Sequence, residues 1–279
     1  MLNRASFKAN ALPETTERHT RSALNAVLQT VFAQTWVGQQ RFTTTVELDA
    51  LHAALGVGPG ARVLEIGSGL GGSAIYLARQ TGCRVVSIDA SPAYAHNAAV
   101  AAAAAGLGDR VRFIAGEITE TAFPAGAFDA IVSHDTFVAI EDKARVFELC
   151  RRWLRPGGRL AAMLIVRQGD IPAGDALGAP LAWPLLTTSD YQALVARAGL
   201  QVVALDDLSA AFREIGARWR GALLVWELAL LSNEQFGWER LRDTTERLAE
   251  WSTQGLLGHI QLIVSRDEVT QENDHASDK

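Results

Sequence analysis

Cysteine is almost missing from this chain. Cys83 and Cys150 are the only two in 279 residues, too far apart to suggest a metal-ligand spacing and too few to build a disulfide framework. They read as two small buried thiols. Long apolar runs are missing as well: none approaches the ~20 residues that span a bilayer. The opening stretch, "MLNRASFKANALPETTERHT", lacks the apolar centre of a secretory signal. A basic field is also absent. The chain carries 26 Lys and Arg against 31 Asp and Glu, a net charge of -5. Much of that imbalance lies in residues 267–279, where Asp267, Glu268, Glu272, Asp274 and Asp278 face Lys279 alone. With a near-neutral body, neither nucleic acid nor an anionic membrane surface is an expected partner. These absences lead us to expect a soluble, cytoplasmic protein whose partner is a small molecule. No His/Asp/Glu cluster has metal-ligand spacing, so no metal is expected.

What is present is a hydrophobic content of 48%, enough for a substantial core in one domain. Residues 1–19 are polar and are expected to be flexible. A helical stripe runs through Leu24, Val27, Leu28, Val31 and Phe32, and a second helix is expected over 43–55, stopped by "GVGPG". Strand and helix then alternate. Strands are predicted at 61–66, 83–89, 110–116, 127–133 and 159–166. The helices between them include one capped by Ser91, with Pro92 in its first turn, and one over 141–154 that "PGG" (156–158) stops. Such alternation predicts βαβ units and a doubly wound, mostly parallel α/β sheet. After residue 167 the pattern changes. A helix capped near Ser189, a strand at 200–207, a long helical stretch near 209–256 and a last strand at 259–266 bring the count to seven, with an antiparallel edge. The domain is expected to span 20–266, with a helical cap (20–56), a helical insertion (207–257) that serves as a lid, and a disordered acidic tail (267–279). Trp183, Trp219, Trp226, Trp238 and Trp251 fall in or near that insertion.

The candidate site is "VLEIGSGLGG" (63–72). Gly67, Gly69 and Gly72 fit G-x-G-x-x-G between a strand and a helix. The first glycine permits a sharp turn, the second a close approach of ligand to backbone, and the third tight packing of helix on strand. Asp89 ends the second strand, 22 positions after Gly67, near the offset expected of a ribose-binding acid. Its competing role is to cap the next helix, which Ser91 already does. Dinucleotides and S-adenosylmethionine both use this geometry. Glu65 bears on the choice, because an acid two residues before Gly67 suits an ammonium group and is awkward beside a pyrophosphate. It could equally tie down loop N–H groups.

Taken in order, "VLEIGSGLGGSAIYLA", "VVSIDAS", "GDRVRFIAGEITETAFPAGAFDAIVSHDTF" and "LRPGGRL" resemble the motifs of class I S-adenosylmethionine-dependent methyltransferases, over about residues 43–205. "GSGLGG" and "VFAQTWVGQQRFTT" are similar to the small-molecule branch that includes sarcosine/dimethylglycine and phosphoethanolamine N-methyltransferases. The resemblance implies a Rossmann-like methyltransferase fold, S-adenosylmethionine as cofactor, and transfer of its methyl to nitrogen or oxygen of a small acceptor. By position, Gly67, Ser68 and Gly69 would line the methionine part. Asp89 would hold the ribose, with Ala90 beside the adenine and Glu117 and Ile118 flanking it. Glu117 stands where the family usually has Asp, and is longer by one methylene. Ser133 would lie under the sulfonium, and Trp36 and Gln40 belong to a segment folding over the cofactor. His134 and Asp135, at the end of the fourth strand, are the candidate base and orienting group. Phosphoethanolamine-type enzymes carry a histidine a few residues after that Asp; here the aligned residue is Ala139, which argues against a phosphobase substrate. The competing readings are an NAD(P)-dependent oxidoreductase and a non-catalytic S-adenosylmethionine-binding protein.

Overall fold

The computed structural model describes residues 44–171, 185–218 and 238–267. The predicted flexible N-terminus, the stripe at 24–32, Trp36, Gln40, Trp183, Trp219, Trp226 and the acidic tail from 268 onward lie outside the described residues.

Seven strands form one sheet. They are β1 (Arg62–Ile66), β2 (Arg84–Asp89), β3 (Val111–Ala115), β4 (Phe128–His134), β5 (Leu154–Arg167), β6 (Gln201–Asp207) and β7 (Leu257–Ser265). Their spatial order is β3-β2-β1-β4-β5-β7-β6. The β1–β2, β1–β4, β2–β3 and β4–β5 pairs are parallel. β7 is antiparallel to both its neighbours, β5 and β6. The expected doubly wound α/β sheet with an antiparallel edge is therefore what the chain forms. The order reverses between β1 and β4, and in open α/β sheets such a switch point opens a crevice beyond the carboxyl ends of the strands.

Local chemistry sets the helix ends. Thr44 caps α1 (Thr45–Leu55), and Glu47 returns an acceptor to the Thr44 N–H at 2.8 Å. α2 (Gly72–Thr81) follows the glycine turn. Ser91 caps α3 (Pro92–Ala104), its hydroxyl accepting from the Tyr94 N–H. Asp142 caps α4 (Lys143–Trp153). α5 (Thr188–Arg197) is capped by Thr187, not Ser189, because Asp190 completes a capping box with Thr187 and leaves Ser189 inside the first turn. Helix α6 occupies 209–218, and α7 (Trp238–Thr253) precedes β7. One boundary differs from expectation. α4 runs straight into β5 at Leu154, and "RPGG" (155–158) forms a bulge: Phe128 pairs with Leu154, but Ala130 pairs with Arg159. The Pro-Gly-Gly sequence therefore bends a strand that has already begun.

Helices cover both faces of the sheet. Val63, Val85, Ala130, Val132 and Ala161 pack with Leu51 and Leu55 of α1 and with Leu77 of α2. On the opposite face Leu64, Ile66, Ile131, Leu160 and Leu164 meet Phe147, Cys150 and Trp153 of α4 and Tyr191 of α5. Both cysteines are free and buried. Trp153 is fully buried, and Phe123 stands edge-on to it at 5.1 Å. Trp153→Ala is expected to cost about 3–5 kcal/mol, read as a fall in urea midpoint with unchanged slope.

Candidate functional site

The site is built where β1, β2 and β4 end. β1 finishes at Ile66, and Gly67 turns the chain with φ +87. The Gly67 N–H donates to the Ile88 carbonyl at 2.8 Å. A Cβ at Gly67 would lie 1.9 Å from Thr136 Oγ1, so the loop after β4 fills the space any side chain would need. Ser133 is fully buried, and its hydroxyl donates to the Ile66 carbonyl at 3.1 Å. The first turn is thus locked to β2 and β4 together.

Gly69 meets the second expectation. Its φ is +48, and nothing lies within 4 Å of where its Cβ would stand, which leaves the backbone bare and approachable. The third expectation needs correction. Tight packing falls on Gly71, whose φ is +84 and whose Cβ would sit 2.8 Å from Ala98 Cβ on α3. Gly72 is simply the buried first residue of α2.

Asp89 joins the two loops. One carboxylate oxygen accepts from the Gly69 N–H and the other from the Ser91 N–H, both at 2.9 Å. The expected alternatives coincide here, since the carboxylate steadies the start of α3 and also reaches the glycine loop. Each oxygen keeps a second acceptor direction. Ala90 beside it is exposed, and so is Glu117 after β3, while Ile118 is packed into the core. Ser68 is buried, and its hydroxyl has no hydrogen-bond partner. An unsatisfied hydroxyl in a glycine turn needs an explanation, and a ligand is one.

Glu65 is 1% exposed and does not tie down the loop. It accepts from the Ser87 hydroxyl at 2.5 Å, and its other oxygen lies 3.6 Å from His134 Nδ1. His134 is therefore placed beside a carboxylate and inside the fold. Its ring also stands edge-on to His52 of α1, 5.9 Å between centroids, and the four nitrogens of these two rings make no hydrogen bonds. Burial first, and then the charge of His134, lowers the pKa of His52 to about 3. Asp135 is fully buried with φ +55, and His259 Nε2 lies 2.7 Å from its Oδ1.

His52, Ser87, Tyr191 and His259 had drawn no attention as site residues. Ser87 and His259 each leave a mark, as polar residues inside apolar strand sequences. His52 and Tyr191 sit on ordinary amphipathic helices and leave none.

A parallel sheet in this order, a glycine turn after β1 and an acid ending β2 define a Rossmann-like fold of the methyltransferase class. The comparisons agree. Residues 63–158 match the protein family described as "Methyltransferase domain". Methyltransferase GfsG of Streptomyces halstedii is 33% identical over 174 residues, covering 60% of this chain and 63% of that protein. Phosphoethanolamine N-methyltransferase 1 of Arabidopsis thaliana is 32% identical over 148 residues, covering 52% of this chain and 28% of the relative. A solved structure of a candidate sarcosine dimethylglycine methyltransferase from Galdieria sulphuraria superposes with a TM-score of 0.75 at 18% identity, covering 88% and 99% of the two chains. The chain belongs to the class I S-adenosylmethionine-dependent methyltransferases through this domain. The sequence matches span less than two thirds of the length of these curated relatives.

A buried histidine held neutral makes stability depend on pH. With a folded pKa below the unfolded value near 6.5, His52 contributes fully above that value, and its contribution is lost as pH falls toward about 3. Between pH 7.5 and 5 the wild type is expected to lose about 1–2 kcal/mol more than His52→Leu, measured by urea unfolding at each pH. Parallel pH profiles for the two proteins would contradict this.

Proposed function

We propose that the chain transfers the methyl group of S-adenosylmethionine to a nitrogen or oxygen of a small-molecule acceptor. The observation that carries this is the junction of Asp89 with the Gly69 N–H, beside bare backbone at Gly69 and the unpartnered Ser68 hydroxyl. An acid at the end of β2 suits a ribose diol. The buried Glu65 carboxylate near the turn suits a cationic amino-acid ligand better than a pyrophosphate, which favours this cofactor over NAD(P).

On this reading Gly67, Ser68 and Gly69 hold the methionine portion, with Gly72 opening α2 behind them. Asp89 takes the ribose hydroxyls. Ala90, Glu117 and Ile118 border the adenine, and Ser133 keeps the end of β4 against β1. Trp36 and Gln40 are assigned to the cover of the cleft. When bound, the cofactor supplies an electrophilic methyl on a positive sulfur. The residues of the chain then chiefly have to align the acceptor and exclude water. His134 and Asp135 are the residues nearest the reacting end. Because Glu65 lies beside His134 and His259 bonds Asp135, both act as oriented charges before either acts as a base. The relatives are named for phosphoethanolamine and for glycine, sarcosine and dimethylglycine. For this chain a small acceptor without a phosphate fits better, because Ala139 stands where a histidine would accompany Asp135.

We further assign residues 20–266 to one methyltransferase unit and the chain to the cytoplasm. No helix among the described residues is long and apolar enough to cross a membrane.

Thermal-shift measurements with S-adenosylmethionine, S-adenosylhomocysteine and NAD(P) test the proposal. The first two are expected to raise the melting temperature and the nicotinamides to leave it unchanged. Asp89→Ala is expected to weaken cofactor binding by roughly 1.5–3 kcal/mol, the value of hydrogen bonds to a charged group. A shift with NAD(P) alone would favour an oxidoreductase. Cofactor binding without methylated product from a panel of amines and alcohols would favour a binding protein.

A further inference from the structure

Two buried carboxylate–histidine pairs meet at consecutive residues. His134, the last residue of β4, lies with Nδ1 3.6 Å from Glu65 Oε1. Asp135, the next residue, belongs to a second pair, with His259 of β7 at 2.7 Å. The side chains of Asp135 and His259 are 0% and 1% exposed. Asp135 is also the one non-glycine residue with positive φ among those described. Such a conformation costs of order 1 kcal/mol, and it persists where the surroundings require it. Stability alone is a poor reason for this arrangement, because a buried ion pair is often no better than apolar side chains of the same volume.

A third group adds an independent observation. The Tyr191 hydroxyl on α5 is buried with no hydrogen-bond partner. Burial first, and then the charge of Asp135, raises its pKa. Ionisable groups from β4, β7 and α5 therefore gather two residues beyond Ser133. They adjoin Thr136, which packs on the Gly67 turn.

We propose that the Asp135–His259 pair sets the charge at the transferring end of the cofactor cleft, so that the site favours a sulfonium over a neutral thioether. The inference rests on the cofactor reading above. With His259 neutral, its N–H holds Asp135 in place and the pair carries one net negative charge. With His259 protonated, the pair is neutral. His259 is a positioning residue that acts through Asp135. S-adenosylmethionine and S-adenosylhomocysteine share an adenosine, an amino group and a carboxylate, and differ in the sulfonium charge. The ratio of their affinities therefore isolates the charge that the pair provides, and a site biased in this way would release the spent cofactor more readily than it holds the fresh one.

Few other charged groups face the pair. Asp207, at the end of β6, is held below the usual carboxylate range by hydrogen bonds from Ser209, with smaller contributions from Arg213 and His259, so it stays ionised through the neutral range. Tyr191 stays neutral there. Glu65 and His134 form the neighbouring pair on the β1 side. Phe212 of α6, stacked 5.0 Å from the His259 ring, carries no charge.

The test is calorimetric binding of S-adenosylmethionine and S-adenosylhomocysteine to the full chain at about pH 6 and about pH 8, the range over which a histidine titrates. The wild type is expected to prefer S-adenosylmethionine more strongly at the higher pH. Asp135→Asn is expected to lower that preference roughly tenfold, the order for two unit charges several ångströms apart at an effective dielectric of about 20. His259→Gln is expected to keep the preference and to lose its pH dependence. Equal weakening of both ligands by Asp135→Asn, or a pH dependence that survives His259→Gln, would overturn the proposal and leave the pair a structural one. If Asp135→Asn does not fold, the His259→Gln comparison decides alone. Failure of the wild type to bind either ligand would instead remove the cofactor reading, and this one with it.

Discussion

The turn at Gly67 holds the rest of the site in register. Thr136 occupies the volume where a Cβ at 67 would stand, so the chain leaving β1 and the chain leaving β4 are fitted into each other. Two hydrogen bonds reinforce the fit, from Gly67 N–H to Ile88 and from Ser133 to Ile66. The ends of β1, β2 and β4 are thereby fixed by backbone contacts rather than by long side chains. Asp89 holds the next residues of the loop from the β2 side. A loop fixed on two sides keeps its N–H groups aimed where a ligand would need them, and the ordering cost is met at folding rather than at binding.

Around that turn the fold tolerates an unusual amount of buried polarity. Glu65, Ser87, His134, Asp135 and His259 are all under one tenth exposed. Their pairing accounts for part of this: Ser87 satisfies Glu65 and His259 satisfies Asp135. The ring nitrogens of His52 and His134 and the hydroxyls of Ser68 and Tyr191 are left without protein partners. Unsatisfied groups of this kind are rare in interiors, and here they collect at one end of one sheet. A core selected for stability alone would have replaced them with leucine or methionine.

The architecture was largely legible before any coordinates, and for physical reasons. The strands are apolar runs bounded by glycine and polar residues, and the helices carry their caps in sequence, as Thr44, Ser91 and Asp142 show. Glycines followed by Asp89 marked the cleft because backbone conformation at those positions is written in residue type. What stayed hidden depends on partners distant in the chain. His259 meets Asp135 only because β7 enters the sheet between β5 and β6, and nothing local to residue 259 encodes that. His52 meets His134 across a helix–sheet contact. Gly71 carries the packing assigned to Gly72 because the position of α3, and not the spacing of the motif, decides which glycine is crowded. Thr187 takes the cap from Ser189 because the reciprocal acid lies three residues after it.

The place of β7 has a consequence for how the protein is made. β5 and β6 emerge from the ribosome well before β7, yet neither pairs with the other; each waits for the strand that will part them. Until then β5, 14 residues long and rich in Leu, Ile, Val and Ala, has one unsatisfied edge, the condition under which nascent chains stick to one another. The same late arrival delivers His259 to Asp135. A chain caught before that step would have its glycine turn and its acid at residue 89, and its buried carboxylate at 135 would have no imidazole beside it.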